Sequence, residues 1–219
     1  MIEATNIHKY YNNLHVLKGV DLKVRKKEII SIVGPSGAGK TTLLQILGTI
    51  TSPSKNEKFK LEINSKSIIS FSNNELAKFR NESLGFIFQS NQLLPEFSAI
   101  ENVCIPAYIK GDSKKNAEIK AEELLDFLQL KDRLKHMPSE LSGGEQQRVA
   151  VARALINDPL VVLADEPSGN LDSKSANLLH KLFIELRETF GHTYIIVTHN
   201  EKFAEMADRK ITIIDGQIA

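Results

Sequence analysis

A glycine-rich stretch of the chain combines the residue types that a phosphate group requires from a protein. It follows the largely apolar run 28–33, which predicts a buried strand, and it precedes a predicted helix over 41–49. Glycines let several backbone N–H groups converge on phosphate oxygens, and the helix start adds the positive end of its dipole. We call residues 34–42 the phosphate loop; its candidate nucleotide-binding residues are Gly34, Pro35, Ser36, Gly37, Ala38, Gly39, Lys40, Thr41 and Thr42.

Within the phosphate loop, Lys40 supplies a positive charge for the β- and γ-phosphates, and the Thr41 hydroxyl suits Mg²⁺. Two acidic residues, Asp165 and Glu166, follow a second apolar run at 160–164. Neighbouring strand residues point to different sides, and ligands of α/β sheets bind at such strand ends. We therefore assign Asp165 to the metal and Glu166 to general-base catalysis. Taken alone, an Asp-Glu pair is more often the start of a solvated loop.

Two further polar residues end apolar strands of the same predicted sheet. His199 follows the run 194–198 and can donate a hydrogen bond to a γ-phosphate, which makes it a catalytic candidate. Gln89 follows the run 84–88 and can reach the metal or the attacking water. The remaining histidines are interpreted as structural or exposed: His8, His15, His136, His180 and His192.

A second glycine-containing helix start lies at residues 141–145. Its candidate nucleotide-binding residues are Ser142, Gly143, Gly144 and Glu145. A hydroxyl and free backbone N–H groups at a helix start form a natural anion site. The alternative is a glycine-containing cap on an ordinary helix.

The elements around these residues alternate between strand and helix, which predicts an α/β fold with a mostly parallel sheet. Between about 91 and 158 the pattern is almost entirely helical and predicts an inserted subdomain. Pro106 and Pro138 are expected to break this region into pieces. One helical face within it is assigned to Ile119, Leu124, Leu125 and Leu128.

The composition excludes several classes of protein. Lysine and arginine number 28 against 27 acidic residues, so the basic excess of a nucleic-acid binder is missing. Cys104 is the only cysteine, which rules out an internal disulfide bond. No run approaches the roughly 18 apolar residues that cross a bilayer, so we expect no direct membrane insertion. Any membrane role would require a partner protein.

Taken together, these motifs resemble the ABC ATPases over essentially the whole chain. The resemblance rests on the phosphate loop, Gln89, residues 141–148, Asp165 with Glu166, residues 168–172 and His199, all in the family's order. It implies a P-loop NTPase core (1–90 and 159–219) with an N-terminal antiparallel β subdomain and the helical insertion, together forming one domain over 1–219. It also implies ATP and Mg²⁺ as ligands.

The resemblance further implies a head-to-tail dimer with two ATP molecules, in which residues 141–145 of one subunit close over the partner's γ-phosphate. Asp172 would help to link the two sites. Tyr11 matches the position of the aromatic residue that stacks on adenine, although Tyr10 is adjacent. The partners implied are a second copy of the chain and integral-membrane permease subunits, which would hold it on the cytoplasmic face of the inner membrane.

Within the family, residues 92–103 are similar to the lipoprotein-releasing branch and its MacB-type relatives. Here Leu93, Leu94 and Phe97 either face a permease helix or belong to the core. Cell-division-type and other non-transport ABC ATPases are the alternatives. Only residues 41–140 separate Lys40 from Leu141, too few for the long coiled coils of chromosome-type members. Glu166 and His199 disfavour a regulator without turnover.

Two features depart from the family pattern. Residues 49–59 lack the usual glycine of the turn before the small antiparallel strands. The sequence also ends at Ala219, inside a predicted closing hairpin, earlier than family members commonly end. Neither departure involves a candidate catalytic residue.

Overall fold

Ten strands form two sheets in the computed structural model, which describes residues 1–54 and 58–219. The strands are β1 (Ile2–Tyr11), β2 (Leu14–Val24), β3 (Ile29–Val33), β4 (Lys60–Ile63), β5 (Lys66–Ser67), β6 (Leu84–Ile87), β7 (Val161–Asp165), β8 (Thr193–Val197), β9 (Arg209–Ile214) and β10 (Gln217–Ile218). The turn without glycine falls partly on residues 55–57, which lie outside the described residues.

The smaller sheet is antiparallel and has the order β2-β1-β4-β5. The larger has the order β10-β9-β3-β8-β7-β6, in which every pair from β9 to β6 is parallel and only β10 runs antiparallel. The predicted α/β class, with a mostly parallel sheet beside an antiparallel one, is therefore confirmed. Because β3, β8 and β7 are adjacent and parallel, the segments that follow them emerge at one edge of the sheet.

Helices cover both faces of the parallel sheet. They are α1 (Lys40–Leu47), α2 (Asn73–Ser83), α3 (Ala99–Lys110), α4 (Lys114–Phe127), α5 (Gly143–Leu155), α6 (Ser173–Phe190) and α7 (Glu201–Met206). Capping boxes begin α2 and α3, since the backbone N–H of Ser72 donates to Glu75 at 2.7 Å and that of Ser98 to Glu101 at 2.9 Å. Helices α3, α4 and α5 all lie between β6 and β7 in the chain.

Pro106 does not break the helical region, contrary to expectation, because α3 continues through it. Packing on both sides outweighs the lost hydrogen bond, since Val103 and Ala107 are completely buried. The Pro106 carbonyl also accepts hydrogen bonds from the side chains of Asn81 at 3.2 Å and Asn157 at 3.1 Å. Pro138, in contrast, does begin a separate 3-10 turn.

Of the four residues expected on the buried face of α4, Leu125 and Leu128 are buried and Leu124 packs partly buried against the core, but Ile119 does not. Ile119 is 46% exposed, whereas Ala117, Ala121 and Leu125 are completely buried. Alanines spaced four residues apart lie on one helix face and let α4 approach its neighbours closely. The larger side chain of Ile119 therefore falls on the solvent side.

The core consists of two clusters separated by the parallel sheet. Alternate residues of β3 face opposite clusters, with Ile29 packed among α3, α5 and α6 and Ile30 packed against the smaller sheet and α1. Both faces of the strand are buried, which explains why its sequence is apolar except for Ser31, whose hydroxyl donates to the Ala204 carbonyl at 3.1 Å. Among the described residues, no helix has both the length and the apolarity needed to cross a bilayer.

Candidate nucleotide-binding and hydrolysis site

The phosphate loop joins the end of β3 to the start of α1, as its sequence predicts. Its exposed residues are Pro35, Ser36, Gly37 and Thr41, whereas Ala38 and Gly39 are buried against the protein. The Lys40 ammonium lies back across the loop and donates to the carbonyls of Gly34 at 2.7 Å and Pro35 at 2.9 Å. The lysine charge is thus held over the segment whose backbone N–H groups are available to an anion.

Gly34 is required by space and by conformation. Its φ of 146° lies in a region that L side chains rarely adopt, and a Cβ atom would overlap the Ile213 carbonyl of β9. Gly37 has a φ of 79°, but no atom lies within 4 Å of the position that a Cβ would take. Gly34 therefore allows the phosphate loop to pass close to β9, and Gly37 allows the backbone to turn within the loop.

Asp165 and Thr41 meet across the sheet edge. The Thr41 hydroxyl donates to Asp165 Oδ1 at 3.2 Å, although the two residues are 124 positions apart. Burial raises the pKa of the Asp165 carboxyl and the neighbouring Glu166 raises it further, while the Thr41 hydrogen bond and the Lys40 charge act in the opposite direction. A hydroxyl beside a carboxylate is an oxygen pair that suits a small divalent cation.

The Glu166 carboxylate contacts His199. Glu166 Oε2 lies 2.9 Å from His199 Nδ1 and accepts the His199 backbone N–H at 3.3 Å. Its backbone N–H donates to the Val197 carbonyl at 2.9 Å, and its φ of 47° turns the chain out of β7. The carboxylate is therefore oriented by the neighbouring strand end, as a general base requires.

Gln89 contacts a residue that the sequence analysis did not single out. Its side-chain amide donates to Asn170 Oδ1 at 3.2 Å, and Asn170 Nδ2 donates to the Gln89 carbonyl at 3.1 Å. Among the described residues no hydrogen bond joins Gln89 to Thr41 or Asp165. The amide is instead attached to the loop that follows Glu166, a contact between residues 81 apart that no local pattern reveals.

The second glycine-containing helix start is exposed and well formed. Ser142 caps α5 by accepting the Glu145 backbone N–H at 3.3 Å, and its own N–H donates to Glu145 Oε2 at 2.8 Å. The hydrogen bonds from Ser142 lower the pKa of Glu145 to about 2, with a smaller contribution from Arg133 at 3.1 Å. Ser142 and Gly143 are exposed, while Gly144 and Glu145 are half-buried. Sequence reasoning missed Arg133, because its partner lies on a different helix.

Asp172 caps the next long helix. It accepts the backbone N–H groups of Lys174 at 2.9 Å and Ser175 at 3.1 Å, and the Ser175 hydroxyl at 2.6 Å. The Ser175 hydroxyl is the leading cause of a lowered pKa for the Asp172 carboxyl. The residue is exposed, so it is anchored to α6 while it remains accessible at the surface.

Tyr10 and Tyr11 have different surroundings at the end of β1. The Tyr10 ring is stacked on His15 with a centroid separation of 3.9 Å. The Tyr11 ring is 46% exposed, with the Lys9 ammonium 5.1 Å from its centroid. Only Tyr11 therefore presents a largely accessible aromatic ring.

The segment after Gln89 borders an open groove. Leu93 is half-buried and packs against the core, whereas Leu94 and Phe97 are 43% and 41% exposed. A cavity of about 530 Å³ lies nearby between α2, α3 and α5. Its lining includes Ile50, Phe86, Phe88, Gln92, Ile109 and Arg153.

Comparison with known proteins places this geometry in a family. The family described as ABC transporter matches residues 17–169. The chain is 55% identical to a lipoprotein-releasing system ATP-binding protein LolD of Bacteroides fragilis, over 100% of both chains. It is 56% identical to the LolD protein of Porphyromonas gingivalis, over 99% of this chain and 97% of that relative.

A solved structure shares the fold. The ATP-binding cassette MJ0796, a dimer in a post-hydrolysis state bound to ADP and Pi, is 36% identical and has a TM-score of 0.89. The comparison covers 100% of this chain and 96% of the other. The chain therefore belongs to the ABC transporter family, and it is an ATP-binding ATPase of that family.

Proposed function

We propose that the chain is the ATP-hydrolysing subunit of a lipoprotein-releasing transporter, and that it acts as a dimer on separate permease subunits. Whole-chain identities of 52–56% to four lipoprotein-releasing system ATP-binding proteins support the choice of branch. The observation that carries the catalytic assignment is the contact between Glu166 and His199, because it orients a carboxylate at the sheet edge where the phosphate loop begins.

ATP would be held by the phosphate loop, with the Lys40 ammonium on the β- and γ-phosphates. Thr41 and Asp165, whose oxygen atoms lie 3.2 Å apart, are the residues that would hold Mg²⁺. Bound Mg²⁺ neutralises phosphate charge.

Hydrolysis then depends on the residues of the chain itself. Glu166 accepts a proton from the attacking water, while His199 holds the carboxylate and donates towards the γ-phosphate. Gln89, whose amide donates to Asn170 at 3.2 Å, would exchange this partner for the metal or the attacking water. Most of the catalysis comes from preorganised charges and hydrogen-bond donors around the developing negative charge.

The second half of each site would come from a second copy of the chain. Ser142 is exposed at the N-terminus of α5, where the helix dipole favours an anion. In the dimer, this anion would be the γ-phosphate of the ATP bound to the partner subunit. Asp172 lies exposed at the start of α6 and would contribute to the same interface. Solved relatives with this fold are dimers, which supports the arrangement.

The permease would dock on the segment after Gln89, where Gln92 lines the cavity of about 530 Å³ and Leu94 and Phe97 are exposed, and this docking would hold the chain on the cytoplasmic face of the inner membrane. Residues 91–158 would act as a helical subdomain against the core formed by 1–90 and 159–219. Their position between β6 and β7 supports this division.

The decisive experiment uses Glu166→Gln. We expect ATP hydrolysis to fall by about 10³-fold, because the general base is removed while the fold and the phosphate loop remain. Mg²⁺-dependent ATP affinity should persist, and ATP should convert the variant into a dimer in analytical ultracentrifugation. Turnover near the parent rate would remove Glu166 from this role. The absence of ATP-driven dimers would refute the proposed dimeric site.

A further inference from the structure

Side chains of α5, the helix that Ser142 caps, form hydrogen bonds to the loop that follows β6. Arg153, in the last turn of α5, donates from Nη1 to the Gln92 carbonyl at 2.7 Å and from Nη2 to the Asn91 carbonyl at 2.8 Å. Among the described residues Arg153 forms no ion pair with a carboxylate. The planar guanidinium therefore holds two consecutive carbonyls of the loop backbone, whatever side chains the loop carries.

Two glutamines near the other end of α5 hold the same loop. Gln146 accepts a hydrogen bond from the Asn91 side chain at 3.1 Å, and Gln147 donates to the Phe88 carbonyl at 3.4 Å. Gln146 also donates to the carbonyls of Pro138 at 2.9 Å and Leu141 at 3.1 Å, which anchors it beside Ser142. Loop 88–92 is thus attached to α5 at positions two helical turns apart.

Loop 88–92 lines the groove described above. Phe88, Gln92 and Arg153 all border the cavity of about 530 Å³. Arg80 is the second arginine of the lining, but its guanidinium donates to the Thr49 carbonyl at 2.8 Å and not to loop 88–92. Arg80 and Arg153 therefore carry the same charge and line the same groove, but only Arg153 binds loop 88–92.

We propose that Arg153 is a positioning residue that makes loop 88–92 and the Ser142 end of α5 move as one body. The inference rests on the proposed function, in which Ser142 meets the partner subunit's ATP and a permease segment enters the groove. An α5 of 13 residues spans about 20 Å and behaves as a rod. Displacement of the loop by the permease then displaces Ser142, and capture of ATP by Ser142 displaces the loop.

The test compares Arg153→Met with Arg80→Met in a Glu166→Gln background, which holds ATP without turnover. Amide hydrogen exchange of residues 88–94 is measured with and without MgATP, and dimer formation is measured on the same samples. We expect ATP to slow exchange by at least about fivefold in the parent and in Arg80→Met, the lower end of typical allosteric couplings. In Arg153→Met the dimer forms but the slowing falls below about twofold.

Arg153→Lys and Gln146→Leu are the second line of the test if Arg153→Met fails to fold. A lysine can hold one carbonyl but not two, so its coupling should lie between those of the parent and Arg153→Met. Gln146→Leu removes the contact with Asn91 and should also weaken the coupling. Full slowing in folded, dimeric Arg153 variants would overturn the role of Arg153. Failure of the parent to dimerise would instead refute the proposed function.

Discussion

His199 Nδ1 lies 2.9 Å from Glu166 Oε2, and this contact joins the ends of the neighbouring strands β8 and β7. The two side chains differ in exposure, at 71% for His199 and 18% for Glu166. The histidine thus covers the carboxylate from the solvent side while the backbone N–H of residue 199 holds the same oxygen at 3.3 Å. His199, which follows β8, therefore fixes the orientation of the Glu166 carboxylate, and the phosphate loop does not contribute to it.

His199→Ala should lower kcat by about 10²-fold and leave KM for ATP nearly unchanged, because orientation of the base is lost while the phosphate loop is intact. The measurement is steady-state ATP hydrolysis over a range of ATP concentrations. Lys202→Ala is the matched control, since Lys202 borders the same cavity as His199 and, among the described residues, forms no hydrogen bond or ion pair with His199 or Glu166. Equal losses in both variants would contradict the role of His199.

Ser142→Arg should impair hydrolysis by about 10²-fold or more while ATP binding to the monomer stays within about twofold. A bulky cation at the exposed start of α5 opposes the helix dipole and obstructs approach of the partner subunit. Isothermal titration measures binding and ultracentrifugation measures dimerisation. Ser142→Ala, which removes the hydroxyl and the cap at a cost of about 1 kcal/mol of stability but adds neither bulk nor charge, separates these losses from the effect of the arginine. Loss of monomer ATP binding would indicate that the segment acts within its own subunit.

Sequence reasoning located the site because its residues stand directly at strand ends. Asp165, Glu166 and His199 each follow a buried apolar run, and parallel strands bring such positions to one edge. The bounds of α6 follow from local signals, since Asp172 caps its start and Gly191, with a φ of 73°, ends it.

What the sequence did not reveal depends on contacts between distant residues. The bonds from Gln89 to Asn170 and from Arg153 to Gln92 link residues 81 and 61 positions apart, and no periodicity encodes them. Pro106 failed as a helix breaker because burial on both sides of it outweighs one missing hydrogen bond. Contacts between distant residues therefore determine all three features, and the local sequence does not.

Gly34→Ala should destabilise the fold by more than about 3 kcal/mol, since the added methyl group overlaps the backbone of β9 and the φ is unsuitable for alanine. Gly37→Ala should cost only about 1 kcal/mol, because its methyl group meets no atom within 4 Å and only the left-handed conformation is strained. Urea denaturation gives the free energy of unfolding of both variants. Similar values for the two would refute the steric argument.

Tyr11→Ala should weaken ATP binding by about tenfold, the loss expected when an aromatic ring no longer stacks on a base. Tyr10→Ala should change ATP affinity by less than about twofold, because the Tyr10 ring is already stacked on His15. Fluorescence titration with a labelled ATP analogue measures both, and circular dichroism checks that each variant is folded. A larger loss in Tyr10→Ala would reverse the assignment.

His180 should make the stability of the protein depend on pH below about 6.5. Its ring is 1% exposed, lies 3.0 Å from the Ser168 hydroxyl and is stacked on Phe203 at 3.7 Å. Burial lowers the pKa of His180 from 6.5 to about 4. The unfolded chain therefore takes up a proton at higher pH than the folded one, and the free energy of unfolding falls as pH drops from 6.5 towards 4.

The loss attributable to His180 is at most about 3 kcal/mol across that pH range. His180→Phe keeps an aromatic ring against Phe203 but cannot take up a proton, so its stability should vary less with pH. Other groups titrate in the same interval, and the difference between the two proteins isolates the contribution of residue 180. Urea denaturation at pH 7.5, 6.0 and 5.0 measures this difference. Parallel pH profiles for parent and variant would show that burial does not hold the ring neutral.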